Sequence, residues 1–189
     1  MILVLLGTQN NSFHRLLEEV QKNIEKGIIQ EEVVVQKGYT KFESENMTLY
    51  TQLPSEEIQK LIEKAELVIT HGGVGSIITS LQKGKKVIAV PRLKKYGEHV
   101  NDHQLDIIKT FSDAEYIIGL NDVEELEDAL IKVKNFQPKQ YIKNTGNIIK
   151  IVEDFIDNNL KIKKIKYEEK KRKMIEKKKK QLYSIIFLR

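Results

Sequence analysis

Apolar residues along this chain fall into two alternating kinds of run. Short unbroken runs read as strands buried on both faces: Ile2 to Leu6, stopping at Gly7; Val33 to Gln36; Leu67 to Thr70; and Lys86 to Val90, ending at Pro91. Met47 to Tyr50 and Glu115 to Ile118 read as two further strands. Between these runs, apolar residues recur every three or four positions, which is helical spacing. Phe13, Leu16, Leu17, Val20 and Ile24 mark a helix over 13–28, with Ser12 as its N-cap. Pro54-Ser55-Glu56-Glu57 opens a second helix, running to about Ala65, with Ser55 as cap and two acidic residues facing the positive end of the helix dipole. A third runs from the glycines after Thr70 to Gly84, a natural stop. Further helices are predicted over 100–111, 123–133 and 141–158. Strands alternating with helices mean βαβ units. The predicted fold is a single α/β domain, a parallel sheet flanked by helices.

Charge changes this picture at one place. The formal net charge is +5, but residues 160–189 hold 13 Lys+Arg against 3 Asp+Glu, a net +10. The remaining residues hold 19 against 24 and are mildly acidic. The predicted organisation is therefore a folded domain over 1–159 and a basic, helical tail over 160–189. Three readings of the tail stay open: a solvated helix, attraction to an anionic membrane face or membrane partner, and nucleic-acid binding. The body carries no zinc finger or aromatic RNA-binding pattern, so no nucleic-acid partner is expected. A chain that is 40% apolar and 31% charged is not a disordered one. It has no Cys, which removes disulfides, thiolate metal sites and a cysteine nucleophile. Met1 leads directly into a strand-like run rather than a signal peptide, so the expected compartment is cytoplasmic.

In an open parallel sheet, ligands bind beyond the carboxyl ends of the strands. Three loops in that position carry unusual residues. The first is Thr70-His71-Gly72-Gly73-Val74-Gly75-Ser76. Its glycines let backbone approach a ligand, and the following helix offers free N–H groups and a positive dipole end, so it reads as a phosphate cradle. It is not a Walker A loop, and Gly73-Val74-Gly75 lacks the third glycine of G-x-G-x-x-G. The second loop is Pro91-Arg92 through His103-Gln104, whose mixed donors and acceptors suit a hydroxyl-rich ligand. His99 and His103 stand four apart, as zinc ligands do on a helix, but no Glu lies between them and no third ligand is evident, so no metal is expected. The third is Gly7-Thr8-Gln9-Asn10-Asn11-Ser12, for which a ligand role and a plain polar loop are equally open. Loop 36–46 is given no chemistry.

Together these residues resemble a known family. Gly7-Thr8-Gln9…Phe13, Ile69-Thr70-His71-Gly72-Gly73-Val74-Gly75-Ser76, Gly84-Lys85-Lys86 and Val90-Pro91-Arg92…Tyr96-Gly97-Glu98-His99-Val100-Asn101-Asp102-His103-Gln104 look like the donor-binding half of the family 28 glycosyltransferases. The resemblance covers about residues 1–155. It is closest to the PssE-like small catalytic subunits of two-part exopolysaccharide and capsule glycosyltransferases. A eukaryotic analogue is the soluble subunit of the GlcNAc transferase that makes dolichol-linked chitobiose.

The resemblance implies one Rossmann-like half of a GT-B fold and an inverting enzyme. That enzyme would transfer a hexose, galactose or glucose by preference, from a UDP-sugar to a polyprenyl-diphosphate-linked saccharide. UDP-GlcNAc transfer and a non-catalytic nucleotide-sugar-binding subunit are the alternatives. It implies no cofactor and no metal. It also implies a membrane-anchored partner subunit that binds the acceptor, and a place at the cytoplasmic membrane face. His71, Gly72, Gly73, Gly75 and Ser76 match the diphosphate loop. Asn101, His103 and Gln104 match the sugar-reading stretch, and Thr8 and Gln9 match the first loop. Relatives often carry a Glu three residues after Ser76 for the ribose; this chain has Thr79. The general base is left between Glu98, His99 and a residue of the partner.

Overall fold

In a computed structural model of the chain, residues 1–141 are described. Six parallel strands form one sheet: β1 Ile2–Leu5, β2 Val33–Gln36, β3 Thr48–Tyr50, β4 Leu67–His71, β5 Lys86–Val90 and β6 Ile118–Gly119. Their order is β3-β2-β1-β4-β5-β6. The α-helices among the described residues are α1 His14–Glu25, α2 Ser55–Lys64, α3 Val74–Gln82, α4 His103–Asp113 and α5 Leu126–Val133. The fold is thus the α/β class expected. The predicted 141–158 helix beyond Tyr141, the boundary at 159–160 and the basic tail lie outside the described residues.

Strand order follows from where each crossover goes. The chain steps from β1 outward to β2 and β3, and α2 brings it back to β4, on the other side of β1. It then steps outward the opposite way, to β5 and β6. Right-handed crossovers in opposite directions place α1 on one face of the sheet and α2 and α3 on the other. The cores record this. Val4, Leu6, Val35, Ile69 and Ile88 pack with Phe13, Leu16, Leu17 and Val20, and with Leu126, Ala129, Leu130 and Val133. Leu3, Leu5, Val34 and Val68 pack on the other face with Ile62 and Ala65. The reversal between β1 and β4 leaves a crevice at their carboxyl ends.

Several predicted boundaries move, each for a local reason. Phe13, not Ser12, precedes α1; no side chain caps the helix, and the Phe13 N–H donates instead to Thr40 Oγ1 at 2.9 Å. Ser55 is the first residue of α2, and Pro54 holds the capping position. The helix expected from Val100 begins at His103. Before it, Lys94–Tyr96 make a tight 3-10 turn, and Asp102 reaches back to accept the Lys94 N–H at 2.7 Å. The strand expected over 115–118 shrinks to Ile118–Gly119, because Glu115 takes a left-handed φ of 59° to close α4. Val123–Glu125 form a 3-10 turn ahead of α5, with the Asp122 carboxylate accepting the Val123 N–H. Gly84 is the left-handed stop predicted for α3, at φ 67°.

Candidate functional site

The crevice between β1 and β4 opens into a cleft of about 450 Å³. Its walls come from four elements. The loop after β1 supplies Gly7, Thr8 and Gln9; the loop after β4 and the first turns of α3 supply His71, Gly73, Gly75, Ser76 and Thr79. The end of β2 supplies Gln36, and α2 supplies Ser55, Ile58, Gln59 and Ile62, with Leu5 beneath. None of these residues is Asp, Glu, Lys or Arg. A second hollow, of about 230 Å³, sits at the opposite edge, beside the strand starts Ile2, Leu67 and Lys86. That is the wrong end of a parallel sheet for ligand chemistry.

Helix α3 points its start into the cleft. Gly73 is extended (φ −80°, ψ 120°), and no side chain caps the helix. The N–H groups of its first turn have no intrahelical acceptors, and the positive end of its dipole faces the same way. Gly75 lies in that turn. A Cβ added there would meet nothing within 4 Å, so neither packing nor backbone strain requires glycine. A glycine in a helix costs about 1 kcal/mol relative to Ala. The open space beside Gly75 suits a ligand lying against backbone.

His71 closes the floor. Its Nδ1 lies 3.2 Å from the Leu5 carbonyl and donates to it. The ring edge fits between two glycines: a Cβ on Gly73 would stand 2.5 Å from Nε2, and one on Gly7 2.6 Å from Cε1. Gly7 also needs its positive φ of 76°. Burial is the main cause that lowers the His71 pKa, to about 4; the charges of Arg92 and His99 add to it, and the Leu5 carbonyl opposes it. The ring is neutral at physiological pH.

The second predicted loop is arranged differently. Arg92 is the largest fully buried side chain among the described residues. Its two terminal nitrogens donate to Leu6 O at 2.6 Å and Asn11 O at 2.7 Å, and its guanidinium lies 5.0 Å from the centre of the Phe13 ring. Burial lowers its pKa to about 10. The Arg92 N–H donates to Gln104 Oε1 at 2.9 Å. Glu98, 5% exposed, accepts Arg15 Nε at 2.8 Å, a second Arg15 nitrogen at 3.0 Å and the Leu93 N–H at 3.0 Å. Arg15 also pairs with Asp122 at 2.6 Å, and Lys95 joins Asp122 at 2.9 Å. Burial alone would raise Asp122, but the hydrogen bonds from Arg15, Lys95 and the Val123 N–H prevail and hold it at about 2.

The structure therefore brings together six of the expected ligand residues, Thr8, Gln9, His71, Gly73, Gly75 and Ser76, and separates the rest from this cleft. Gly72 is buried under α4: a Cβ there would meet Gln104 Cβ at 2.8 Å. Gln104 is 3% exposed and its amide oxygen is engaged by the Arg92 backbone, so that oxygen fastens α4 to the loop rather than reading a ligand. Glu98, one of the candidate bases, accepts three hydrogen bonds from the Arg15 guanidinium and the Leu93 N–H, and so ties the loop after β5 to α1. His99, Asn101 and His103 form their own cluster along the same sheet edge. The two rings stand 4.6 Å apart, His99 Nδ1 lies 3.1 Å from Asn101 O, and His103 Nδ1 contacts Asn101 Oδ1. Burial, then the charge of His99, lowers the His103 pKa. Gln36, Ser55, Ile58 and Gln59 were not foreseen in the cleft. Sheet order could have indicated Gln36, since β2 flanks β1 at the switch point.

The comparison that decides the family spans most of the chain. The model of the glycosyltransferase family 28 C-terminal domain matches residues 1–159. The chain belongs to this family. Relatives of this family 28 domain include the UDP-N-acetylglucosamine transferase subunit ALG13 of Candida albicans. It is 30% identical over 110 residues, which cover 58% of this chain and 32% of the relative. The human subunit of the same name is 37% identical over 68 residues, 36% of this chain and 6% of the relative. The chain thus spans less than a third of either relative's length. Among solved structures, the glycosyltransferase of kitacinnamycin superposes on 70% of this chain and 34% of its own, with a TM-score of 0.53 at 18% identity. That likeness shows the fold: the family 28 domain is one Rossmann-like half of the GT-B architecture.

Proposed function

We propose that this family 28 domain is the donor-binding subunit of an inverting glycosyltransferase that takes its sugar from a UDP-sugar. The observation that carries the reading is the cleft at the β1/β4 switch point, where the uncapped start of α3, Gly75, Ser76 and His71 converge. A helix start of this kind suits the diphosphate, and it stabilises the charge that develops on the departing nucleotide. Gln36, Ser55, Gln59 and Thr79 face the same space as neutral donors and acceptors, suited to a nucleoside. No metal or cofactor is assigned. The His99–Asn101–His103 cluster, along the same edge, is the proposed sugar-reading and base-bearing side; His99 or a partner residue serves as the base.

The named relatives are UDP-N-acetylglucosamine transferase subunits. UDP-GlcNAc is therefore the first donor to test, ahead of the galactose and glucose donors the sequence resemblance preferred. The acceptor is proposed to be a polyprenyl-diphosphate-linked saccharide, presented by a membrane-anchored partner, as in the PssE-like exopolysaccharide and capsule enzymes. A site on the cytoplasmic membrane face follows from the same reading. The family match ends at 159, where the charge turns strongly basic, which supports a tail over 160–189 that meets an anionic leaflet. Binding to phosphatidylserine vesicles that did not weaken with salt would count against that role for the tail. A second reading, a nucleotide-sugar-binding subunit without catalysis of its own, draws on Thr79 in the ribose position and on the locked state of Glu98.

Calorimetric titration of the full chain with UDP, UDP-GlcNAc, UDP-Gal and UDP-Glc tests the reading. Saturable binding that weakens in Ser76→Ala is the expected outcome, with a sugar preference that His103→Ala removes. No binding of any of the four, with or without the partner, would sink it.

A further inference from the structure

We propose that His71 takes up a proton from solvent as the diphosphate enters the cleft, and holds the ligand as an imidazolium. The inference rests on the nucleotide-sugar reading of the cleft and concerns what balances the ligand's charge there.

Geometry fixes the problem. A carbonyl oxygen only accepts, so Nδ1, 3.2 Å from Leu5 O, carries the ring's proton. In the neutral tautomer Nε2 then presents a lone pair. That atom lies in the gap between Gly7 and Gly73, whose missing Cβ atoms would stand 2.7 and 2.5 Å from it, and the ring lines the cleft. A phosphate oxygen approaching this edge meets lone pair against lone pair. One proton on Nε2 turns that repulsion into a charge-assisted hydrogen bond.

Among the described residues no Lys or Arg lines the cleft, and a helix start contributes only about half an elementary charge. The groups that face His71 are the Leu5 carbonyl on β1, Arg92 on the loop after β5, and His99 beyond it. Arg92 and His99 both act against a charge on His71, and no carboxylate is among the groups that face it. Burial and these charges hold the ring at about 4. An anion within hydrogen-bond reach raises a pKa by about 1–3 units. The bound diphosphate therefore raises the His71 pKa from its depressed value, and the proton arrives with the ligand and leaves with it.

The test uses the full chain and UDP-GlcNAc, whose diphosphate is esterified at both ends and does not titrate between pH 5 and 8. Titrations at pH 6.5 in buffers of different ionisation enthalpy report the protons exchanged. The expected result is net uptake of about half to one proton, and affinity rising several-fold from pH 7.5 to 6.5. In His71→Gln the ligand still binds through the α3 backbone, but uptake and pH dependence vanish. In the unaltered protein, the Nε2 resonance of His71 in nitrogen-15 spectra moves to the protonated position on addition of the donor. No buffer dependence, an Nε2 signal that stays unprotonated, or uptake that persists in His71→Gln would overturn the proposal. Binding without uptake defeats this inference alone. Absence of binding by UDP-GlcNAc and by UDP, with or without the partner, defeats the nucleotide reading and this inference together.

Discussion

Two neighbouring corners of one sheet edge use polar residues in opposite ways. The corner at β1 and β4 keeps its hydrogen-bonding capacity directed outward: α3 is uncapped, Gly75 leaves open space, and the wall carries no charged side chain. The corner at β5 and β6 turns its capacity inward. Arg92, Glu98, Gln104, Arg15 and Asp122 engage one another or nearby backbone, binding the loop after β5 to the loop after β1, α1, α4 and the loop after β6. Polar residues crowded in a loop therefore do not by themselves mark a ligand site. Charged groups held by protein partners make a frame; uncapped backbone N–H groups beside open space are what we propose make a site.

The frame is the easier half to break. Replacing Arg92 with Met keeps the volume but leaves Leu6 O and Asn11 O buried without donors, at about 1–3 kcal/mol each. The expected loss is about 3–5 kcal/mol in urea unfolding, with nucleotide binding lost as the Gly7–Asn11 loop comes free. If Arg92→Met unfolds like the natural chain, the frame does not depend on this clamp.

His71 belongs to both corners, since it lines the cleft yet feels Arg92 and His99. Its depressed pKa has a definite sign in stability. The unfolded chain binds the proton at about 6.5 and the folded one at about 4, so stability falls as pH drops through that window and is unaffected above it. The full difference is up to about 3 kcal/mol. Unfolding at a series of pH values between 7.5 and 4 should show this slope, and His71→Gln should flatten it. An unchanged slope in the variant would assign the acid sensitivity to other groups.

Glu98 separates frame from chemistry more finely. In Glu98→Gln one oxygen still accepts from Arg15 or Leu93, but the charge opposite a part-buried guanidinium is gone. The expected cost is about 2 kcal/mol in stability. UDP affinity should stay within about twofold, as expected of a residue whose role is only to hold the frame. Turnover with the proposed partner subunit should fall no further than stability explains; a loss of a hundredfold or more would point to Glu98 as the base.

The same contrast explains what could be read from the residues alone. Strands β2 and β5 were legible to their end residues, Val33–Gln36 and Lys86–Val90, because a parallel strand buried on both faces leaves an unbroken apolar run. The start of α4 was misplaced because Asp102 bends the chain back onto the Lys94 N–H, a contact with no trace in periodicity. The glycine loop was legible because three glycines in four residues are rare and have few physical uses. Gln36 and Gln59 were not, being ordinary polar residues brought to the cleft by strand order and by the crossing of α2. Glu98 looked chemical because its partner Arg15 stands 83 residues away and nothing local announces the pair.

Gly75 gives the smallest change in stability and the sharpest separation of site from frame. It lies in the first turn of α3 with ordinary backbone angles and no atom within 4 Å of where a Cβ would be. Gly75→Ala should therefore leave the fold intact and stabilise it slightly, by about 0.5 kcal/mol, because Ala loses less backbone entropy in a helix. The added methyl projects into the space proposed for the diphosphate. UDP affinity should fall about tenfold while the unfolding midpoint rises, a pairing that a purely structural glycine cannot produce. A variant with both stability and affinity unchanged would move the diphosphate away from the α3 backbone. One that lost stability would mean the glycine serves packing after all, and the contrast between the two corners would lose its clearest support.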